Sequence, residues 1–447
     1  MSLWFVLQVV LAFGFMIAIH EWGHFIACRL SGVRVERFAI GFGPALWTRT
    51  IGGTEYAVQC IPLGGYCKPA GGDLSGESPE KMYEKPPSPG EFLWAAWWKR
   101  VLIFAAGPSM NYVSAVVLIT TTLMIGDKVF LNDPVLGYVP PQSLAERAGL
   151  RPGDRILTAE GAPVTNFYED LEPVYKAFSG EGPGKARLSV LRGTQHLDVI
   201  LEGKVDKDVE LGLHPSIPSV IGSVALMTPA RKAGLAAGDR VTQINGTGVS
   251  EWNEMAFRIR HAESDVVTLG VDRSGKALSF ALRRVDNGFY KAVGISPPDP
   301  DRFVIKRMGF REACRTSAVS TARMAGLFAV SLGKLFTGRI SLKDNLAGPV
   351  TILRTMYQKA AQGWVEFLNT VAFISLILCL MNLLPIPIVD GGQIVLCALE
   401  GVRRKPMSVK FQEMYQRVGL FLVVGLMGWA LFNDIFGMIM EFKNRAP

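Results

Sequence analysis

The chain has 447 residues and a formal net charge of +8, and its composition is 49% hydrophobic and 19% charged. This apolar excess is typical of a membrane protein and excludes a disordered chain, while the length leaves room for water-soluble domains as well. The basic residues form no stripe with interleaved aromatic side chains, so no nucleic-acid partner is predicted. The six cysteines form no CxxC pair, so no disulfide framework is predicted either.

The first predicted transmembrane helix, 1–30, contains a cluster of polar residues near its end. The 19 residues before the cluster include no Lys, Arg, Asp or Glu, and the cluster reads His20-Glu21-Trp22-Gly23-His24. Ionisable groups at such a depth are costly, so they are candidates for a functional site. On a helix the two histidines share one face, so both imidazoles can reach one metal ion, with Glu21 beside it.

A glycine-rich segment, 31–70, follows the first span. Its alternating stretches, such as 55–60, predict a β-hairpin or small sheet associated with the membrane. An exposed strand edge there could pair with an unwound substrate strand, and an ordinary cytoplasmic loop is the alternative. We expect a cytoplasmic loop over 71–100 and a second transmembrane helix over 101–126.

An internal repeat occupies the middle of the chain. The segment AGLRPGDRI at 148–156 recurs as AGLAAGDRV at 233–241, an offset of 85 residues. A constant offset indicates two copies of one domain, which we place at 128–214 and 216–298. Each copy is predicted to contain an apolar strand, a short helix, a Gly-Asp turn and a further strand.

Apolar residues at helical spacing follow the repeat over 303–362. They predict an amphipathic helical linker that lies on the membrane surface. The last predicted transmembrane helix covers 417–441.

The third predicted transmembrane helix, 365–400, holds one carboxylate within a long apolar run. The run reads NLLPIPIVDGG at 382–392, and its acidic residue is Asp390. Pro385 and Pro387 would break the helix, and a broken helix in a bilayer is tolerated only where protein or a water-filled cavity covers it. Two histidines leave a catalytic zinc ion one protein ligand short, so Asp390 is the candidate third ligand. A helix cap at the kink is its alternative role.

Positive charges predict the orientation in the membrane. Lys and Arg residues cluster after the first span, before the second, and between the third and fourth. These loops are therefore predicted to be cytoplasmic, with the N-terminus and the segment of about 127–360 on the other side. His20 lies roughly 25 Å along the helix from Leu3, so the site should lie inside the bilayer, nearer its cytoplasmic face.

Together these motifs resemble the site-2 protease family of intramembrane zinc metalloproteases, and the repeats resemble tandem PDZ domains. The resemblance covers essentially the whole chain. It implies a multi-pass α-helical membrane protein with four transmembrane helices, a membrane-associated β-hairpin or sheet, and two tandem α+β PDZ domains.

The resemblance also implies roles for individual residues. His20, His24 and Asp390 would hold Zn²⁺, and Glu21 would act as the general base that activates water. It further implies substrate-binding roles for the residues Asn382, Pro385, Pro387, Gly41 and Gly43. Packing between helices is the alternative for Asn382. For Asn111 in the second span we favour the packing role, and contact with the substrate backbone is its alternative.

The predicted function is cleavage of single-pass membrane proteins within their spans. In the family such substrates are anti-sigma factors already cut once in the periplasm, and remnant signal peptides. We expect a monomer in the bacterial cytoplasmic (inner) membrane, with periplasmic PDZ domains that exclude uncut substrates or read peptide ends. The alternatives are a metal transporter or sensor, which needs no base such as Glu21, and a catalytically silent PDZ scaffold.

Overall fold

The computed structural model describes residues 2–71, 88–180, 182–206, 209–225, 228–286, 291–338 and 348–443. The chain divides into two compact units. The membrane unit consists of Met1–Asp127, Lys306–Gly333 and Ala347–Asp434, and the repeat unit consists of Lys128–Ile305, Lys334–Leu346 and Ile435–Pro447. Most of the predicted cytoplasmic loop, 72–87, lies outside the described residues.

Helices dominate the membrane unit, whereas those of the repeat unit are short. The helices are α1 (Leu3–Leu30), α2 (Trp97–Ile125), α3 (Leu144–Arg147), α4 (Phe167–Asp170), α5 (Glu172–Ala177), α6 (Pro229–Ala233), α7 (Trp252–His261), α8 (Phe310–Phe336), α9 (Pro349–Gln362), α10 (Trp364–Asn382), α11 (Asp390–Arg403) and α12 (Val409–Lys443).

Most strands belong to the repeat unit. The strands are β1 (Val35–Ile51), β2 (Thr54–Pro69), β3 (Asp127–Phe130), β4 (Leu136–Tyr138), β5 (Arg155–Ala159), β6 (Ala162–Pro163), β7 (Gly184–Arg192), β8 (Gln195–Gly203), β9 (His214–Pro215), β10 (Ser223–Val224), β11 (Arg240–Ile244), β12 (Thr247–Gly248), β13 (Val266–Arg273), β14 (Lys276–Arg283), β15 (Val285–Asp286), β16 (Lys291–Ala292), β17 (Ile295–Ser296) and β18 (Phe303–Lys306).

Four of the described helices are long and apolar enough to cross a bilayer. They are α1, α2, α10 and the Val409–Phe436 part of α12, with mean hydropathies of 2.2, 1.7, 1.9 and 1.8. Large apolar side chains such as Leu11, Val117 and Phe421 are exposed on them. Exposed apolar side chains on long helices suit contact with lipid, so this architecture fits a membrane protein.

The structure corrects the third predicted span, 365–400, which is two helices. The span α10 ends at Asn382, and α11 begins at Asp390 after a loop that contains Pro385 and Pro387. Proline lacks a backbone N–H and clashes with the preceding turn, which explains why the helix stops here. The candidate third ligand therefore lies at the start of a separate helix.

The predicted linker, 303–362, also differs from a single surface helix. It contains β18, α8 and α9, and residues 339–347 lie outside the described residues. Met356 and Ala360 of α9 are buried in one cluster with Val9 and Met16 of α1. The apolar face of α9 is thus covered by protein.

The N-terminus of α9 is capped by a residue of α12. Asp434, which is 1% exposed, accepts hydrogen bonds from the backbone N–H groups of Gly348, Val350 and Thr351 at 2.9–3.2 Å. The Thr351 hydroxyl donates to the same carboxylate at 2.7 Å. A carboxylate at a helix N-terminus satisfies orphan donors and interacts favourably with the helix dipole.

A β-hairpin lies where the sequence predicts one, and its two long strands pair twice. Arg37 pairs with both Lys68 and Glu55, and residues 38–40 likewise have two partners each. The second part of β1, 45–51, pairs with 54–59 across the hairpin turn. In this small sheet the outer segments are 45–51 and 65–69.

The two copies of the repeat have the same strand order. The first has the sheet β6-β5-β7-β8 and the pair β4-β9, and the second has β12-β11-β13-β14 and β10-β17. Each copy encloses its own apolar core, centred on side chains such as Ile156 and Leu188 in the first and Val241 and Leu269 in the second. The offset of 85 residues thus reflects two structural repeats.

The Asp of the repeated Gly-Asp turn forms the same buried clamp in both copies. Arg192 binds Asp154 through Nε and Nη2 at 2.7 and 2.8 Å, and Arg273 binds Asp239 at 2.6 and 2.7 Å. A backbone N–H three residues upstream also donates to each Asp, from Arg151 at 2.8 Å and from the equivalent residue of the second copy at 2.9 Å. Both carboxylates are 0–1% exposed, so the motif residue has a structural role.

Candidate metal centre

The two histidines of α1 meet the carboxylate that begins α11. His20 Nε2 lies 3.2 Å from Asp390 Oδ2, and His24 Nε2 lies 3.4 Å from Asp390 Oδ1. The two Nε2 atoms are 3.2 Å apart. The side chains are 12%, 3% and 15% exposed for His20, His24 and Asp390. The sequence separates these groups by about 370 residues, and the fold brings them to one point.

These donors fit zinc. Imidazole nitrogens and carboxylate oxygens bind Zn²⁺ at about 2.0–2.2 Å in tetrahedral geometry, which puts two ligand atoms about 3.3–3.5 Å apart. The three separations of 3.2–3.4 Å lie close to that value, and the candidate ligand atoms of all three residues lie within 4.8 Å of one another. Three protein ligands leave a fourth position for water or substrate, as in catalytic zinc sites.

The backbone before Asp390 adopts an uncommon conformation. Ile388 has a φ of +82°, in the left-handed region that β-branched residues rarely occupy. Gly391 and Gly392 let the loop cross the start of α11, because a Cβ at either would overlap the backbone oxygen of Leu384 or Ile386. Local strain of this kind persists only where the surroundings enforce it, and here it directs Asp390 toward the histidines.

Contacts with neighbouring helices hold α11 in place. Arg100 of α2 binds Glu400 of α11 at 2.9 Å in a buried ion pair. From α12, the Tyr415 hydroxyl donates to the Gly392 carbonyl at 3.0 Å, and Gly419 packs closely against Pro387. The candidate third ligand, Asp390, is thus positioned by both α2 and α12.

Helix α2 packs closely against the histidines through glycines. A Cβ at Gly107 would overlap His24 Nε2, and a Cβ at Gly23 would overlap the backbone oxygen of Ala106. Small residues allow two helix backbones to approach within a membrane. The backbone oxygen of Ile103 lies 2.8 Å from His24 Nδ1 and accepts its N–H, which leaves Nε2 free to bind a metal ion.

Asn111 lies at the other histidine. Its Nδ2 is 3.2 Å from His20 Nδ1, and the residue is 1% exposed. The interpretation of Asn111 as a packing residue is therefore incomplete, since its amide contacts a candidate ligand.

Glu21 contacts the β-hairpin. A Cβ at Gly65 of β2 would lie 3.3 Å from Glu21 Cγ, and the backbone of Cys67 lies near the Glu21 carboxylate. The segment 65–69 of β2 thus lies beside the candidate base, which is next in sequence to a candidate metal ligand.

The five predicted substrate-binding residues lie in two places. Asn382 is the last residue of α10, and Pro385 and Pro387 lie in the loop that leads to Asp390. Gly41 and Gly43 lie in β1, with φ angles of +93° and +86°. A Cβ at Gly41 would lie 2.8 Å from the Ile61 oxygen, so a tight bend accounts for this glycine. The substrate-binding roles of all five residues stay predictions.

The sequence analysis gave no role at the metal centre to the residues of α2. Ile103, Gly107 and Asn111 are spaced four residues apart, so they lie on one face of a helix, and all three face the histidines. That spacing, combined with a polar residue in an apolar span, was the available signal.

The geometry defines a class of protein. His20, His24 and Asp390 can together hold a metal ion, and the Glu21 carboxylate lies beside them. The surrounding helices are apolar enough to cross a bilayer. This arrangement is typical of a membrane metallopeptidase.

Comparisons with known proteins agree with this class. The model of Peptidase family M50 matches residues 8–426. The chain is 34% identical over 455 residues to the regulator of sigma-E protease RseP of Escherichia coli, covering 97% of this chain and 98% of that protein. It is 32% identical over 453 residues to protease RseP of Yersinia pestis, with the same coverage. A putative zinc metalloprotease of Vibrio cholerae is 32% identical over 465 residues, again covering 97% and 98%.

The chain belongs to peptidase family M50, the site-2 protease family, and is a metalloendopeptidase. The family membership that the motifs predicted is thus confirmed. Family membership and the four apolar helices identify a multi-pass protein of the inner membrane.

Proposed function

We propose that the protein is a zinc endopeptidase that cleaves transmembrane segments of single-pass membrane proteins. The observation that carries the proposal is the convergence of His20, His24 and Asp390 beside Glu21. Zinc is the cofactor of this family, and the donor types and separations fit it. When bound, zinc supplies a Lewis acid that polarises the scissile carbonyl and lowers the pKa of water.

Glu21 moves the proton in this mechanism. Its carboxylate takes a proton from the attacking water and returns it to the leaving amine when the peptide bond breaks. The backbone of β2 at Gly65 packs against the Glu21 side chain, which helps to hold the carboxylate next to the proposed ligands. A buried site with few competing waters strengthens each of these polar interactions.

The β-hairpin and the loop before Asp390 would hold the substrate in an extended form. All peptide groups of a substrate helix are hydrogen-bonded within the helix, so it must unwind before water can attack. The outer segment 65–69 of the sheet lies beside Glu21 and could pair with an unwound strand. Gly41 and Gly43 would shape this sheet, and Asn382, Pro385 and Pro387 would bind substrate backbone from the opposite side.

The two repeats are proposed to be PDZ domains on the periplasmic side, and the site to lie nearer the cytoplasmic side. Their common strand order supports the first assignment, and the loop charges support the orientation. The domains would exclude substrates with an intact outer domain, so that a first cut is required. Relatives named for regulating sigma-E support anti-sigma-factor-like substrates in envelope stress signalling, and remnant signal peptides are a second substrate class. We expect the enzyme to act as a monomer.

The experiment compares the wild type with Glu21→Gln on a tagged, pre-trimmed single-pass substrate in liposomes. Loss of a general base should lower the cleavage rate by about 10²–10⁴-fold, while one equivalent of zinc stays bound. Glu202→Gln is the control, since its ion pair with Lys185 is 63% exposed on both sides. Equal cleavage by the wild type and Glu21→Gln would refute the protease mechanism and favour transport or sensing of the metal.

A further inference from the structure

We infer that Asn111 is a positioning residue that holds His20 in the tautomer able to bind a metal ion. The inference rests on the proposed function, because it concerns a ligand of the proposed zinc site. It gives a role to Asn111, a polar side chain in the second span that takes no part in the proposed cleavage mechanism.

The two histidines differ in what orients them. A histidine binds a metal through a nitrogen without a proton, so the other ring nitrogen carries N–H and needs an acceptor. His24 has such an acceptor in the Ile103 carbonyl, 2.8 Å from Nδ1. His20 faces Asp390 and His24 through Nε2, so its Nδ1 is the atom that needs the acceptor.

Asn111 is the group that meets His20 Nδ1. Its Nδ2 lies 3.2 Å away, while its Oδ1 is buried and has no hydrogen-bond partner among the described residues. Buried amide oxygens in native proteins are nearly always hydrogen-bonded. Asn111 thus has an oxygen without a hydrogen-bond partner, and the neighbouring His20 has a ring nitrogen that needs an acceptor.

A half-turn of the amide about χ2 brings Oδ1 to His20 Nδ1–H and gives this buried oxygen a partner. The amide nitrogen and oxygen are similar in size, so the turn places Oδ1 where Nδ2 now lies, opposite His20 Nδ1–H. With Oδ1 in this position, Asn111 accepts from His20 Nδ1–H and stabilises the tautomer that leaves Nε2 unprotonated and able to bind a metal ion.

The backbone around Asn111 is held firmly enough to aim this side chain. The Asn111 carbonyl accepts from the hydroxyls of Ser114 at 2.9 Å and of Ser375, in α10, at 3.0 Å. The two hydroxyl oxygens lie 2.8 Å apart, so either hydroxyl can donate to the other instead of to the carbonyl. This network joins α2 to α10 directly beside the position from which the amide reaches His20.

The test measures metal binding by the full-length protein in detergent, apart from cleavage. Zn²⁺ affinity is determined by competition with a chromophoric chelator, and the absorption bands of bound Co²⁺ report the ligand geometry. Asn111→Leu removes the acceptor at similar volume and should weaken Zn²⁺ binding by about 10–100-fold, as loss of a partner to a ligating histidine does. Asn111→Asp keeps an acceptor and should bind Zn²⁺ nearly as the wild type does, with an unchanged Co²⁺ spectrum.

Thr120→Val is the control, because it removes a buried hydroxyl of the same helix, which lies 2.8 Å from the Val116 carbonyl and 2.6 Å from the Ser317 hydroxyl. Zn²⁺ binding by Asn111→Leu at wild-type affinity, or equal weakening by Asn111→Asp and Asn111→Leu, would overturn the inference. If Asn111→Leu does not fold, Asn111→Ala gives the same readout. A wild type that binds no zinc would instead overturn the proposed function itself.

Discussion

Buried carboxylates occur in both units of this protein, but their surroundings differ. In the repeat unit, Asp154 and Asp239 are each clamped by an arginine and by a backbone N–H. In the membrane unit, Asp390 faces two imidazole nitrogens, and among the described residues no Lys or Arg forms an ion pair with it. A carboxylate that is already paired with an arginine stabilises its fold, whereas a carboxylate that faces two metal-binding imidazoles retains capacity for a cation.

Among the variants that test this comparison, Asp390→Ala should cause the largest loss of zinc affinity. Removing one of the three proposed ligands should lower zinc affinity by more than the roughly 10–100-fold expected for an outer partner, and cleavage should be lost. The melting temperature of the repeat unit should not change. Metal content after dialysis against a chelator and calorimetry of the full chain measure the two effects, and a stoichiometric zinc content would contradict the prediction.

A smaller loss of zinc affinity is expected from Gly107→Ala. The added Cβ would overlap His24 Nε2 and press on His20, so the ligands must shift, and we expect about 10–100-fold weaker zinc binding. Gly14→Ala in α1 is the matched control, because a Cβ there meets no atom within 4 Å. Unchanged affinity in Gly107→Ala would show that the two helices separate easily.

Asp154→Ala should change zinc binding least and should lower the stability of the first repeat most clearly. Loss of the clamp should destabilise the first repeat by about 1–2 kcal/mol, the low end for charged hydrogen bonds, because the Arg192 side chain is 30% exposed. Zinc content should stay at the wild-type value. Denaturant unfolding of the full chain measures the loss, with the exposed Asp198→Ala as control, and equal stability of the two variants would contradict the structural role.

The same clamp predicts a pH dependence for the first repeat. Burial alone would raise the pKa of Asp154, but the Arg192 guanidinium and the Arg151 N–H hold it below its ordinary value of 3.8. A lowered pKa stabilises the fold above that ordinary value, and the stabilisation fades as the pH falls through the lower pKa of the folded state. Unfolding curves between pH 6 and about 2 should therefore converge for the wild type and Asp154→Ala.

Local patterns predicted most of the fold. Long apolar runs located the helices α1, α2, α10 and α12, and a constant offset located the two repeats. The division of 365–400 into α10 and α11 needed the structure, because two prolines indicate a break but not where the next helix begins. The covered face of α9 was also missed, since amphipathicity does not tell lipid from protein as the partner.

The sequence predicted the candidate ligands and the candidate base, but not the residues of α2 that position the histidines. His20, Glu21, His24 and Asp390 carry chemistry that is rare in spans, so single residues gave the signal. Ile103 acts through a backbone oxygen and Gly107 through the absence of a side chain. Both contacts depend on how closely α1 and α2 pack. The residue types alone do not indicate this distance.

The cap of α9 has a consequence for synthesis of the chain. Gly348 provides no side-chain cap, and the acceptor Asp434 follows Val350 by 84 residues. At about 5–20 residues per second, roughly 4–17 s separate translation of the helix start from that of its cap. The cap of α9 can therefore form only after the last span has been made, so the order of translation delays completion of this contact between α9 and α12.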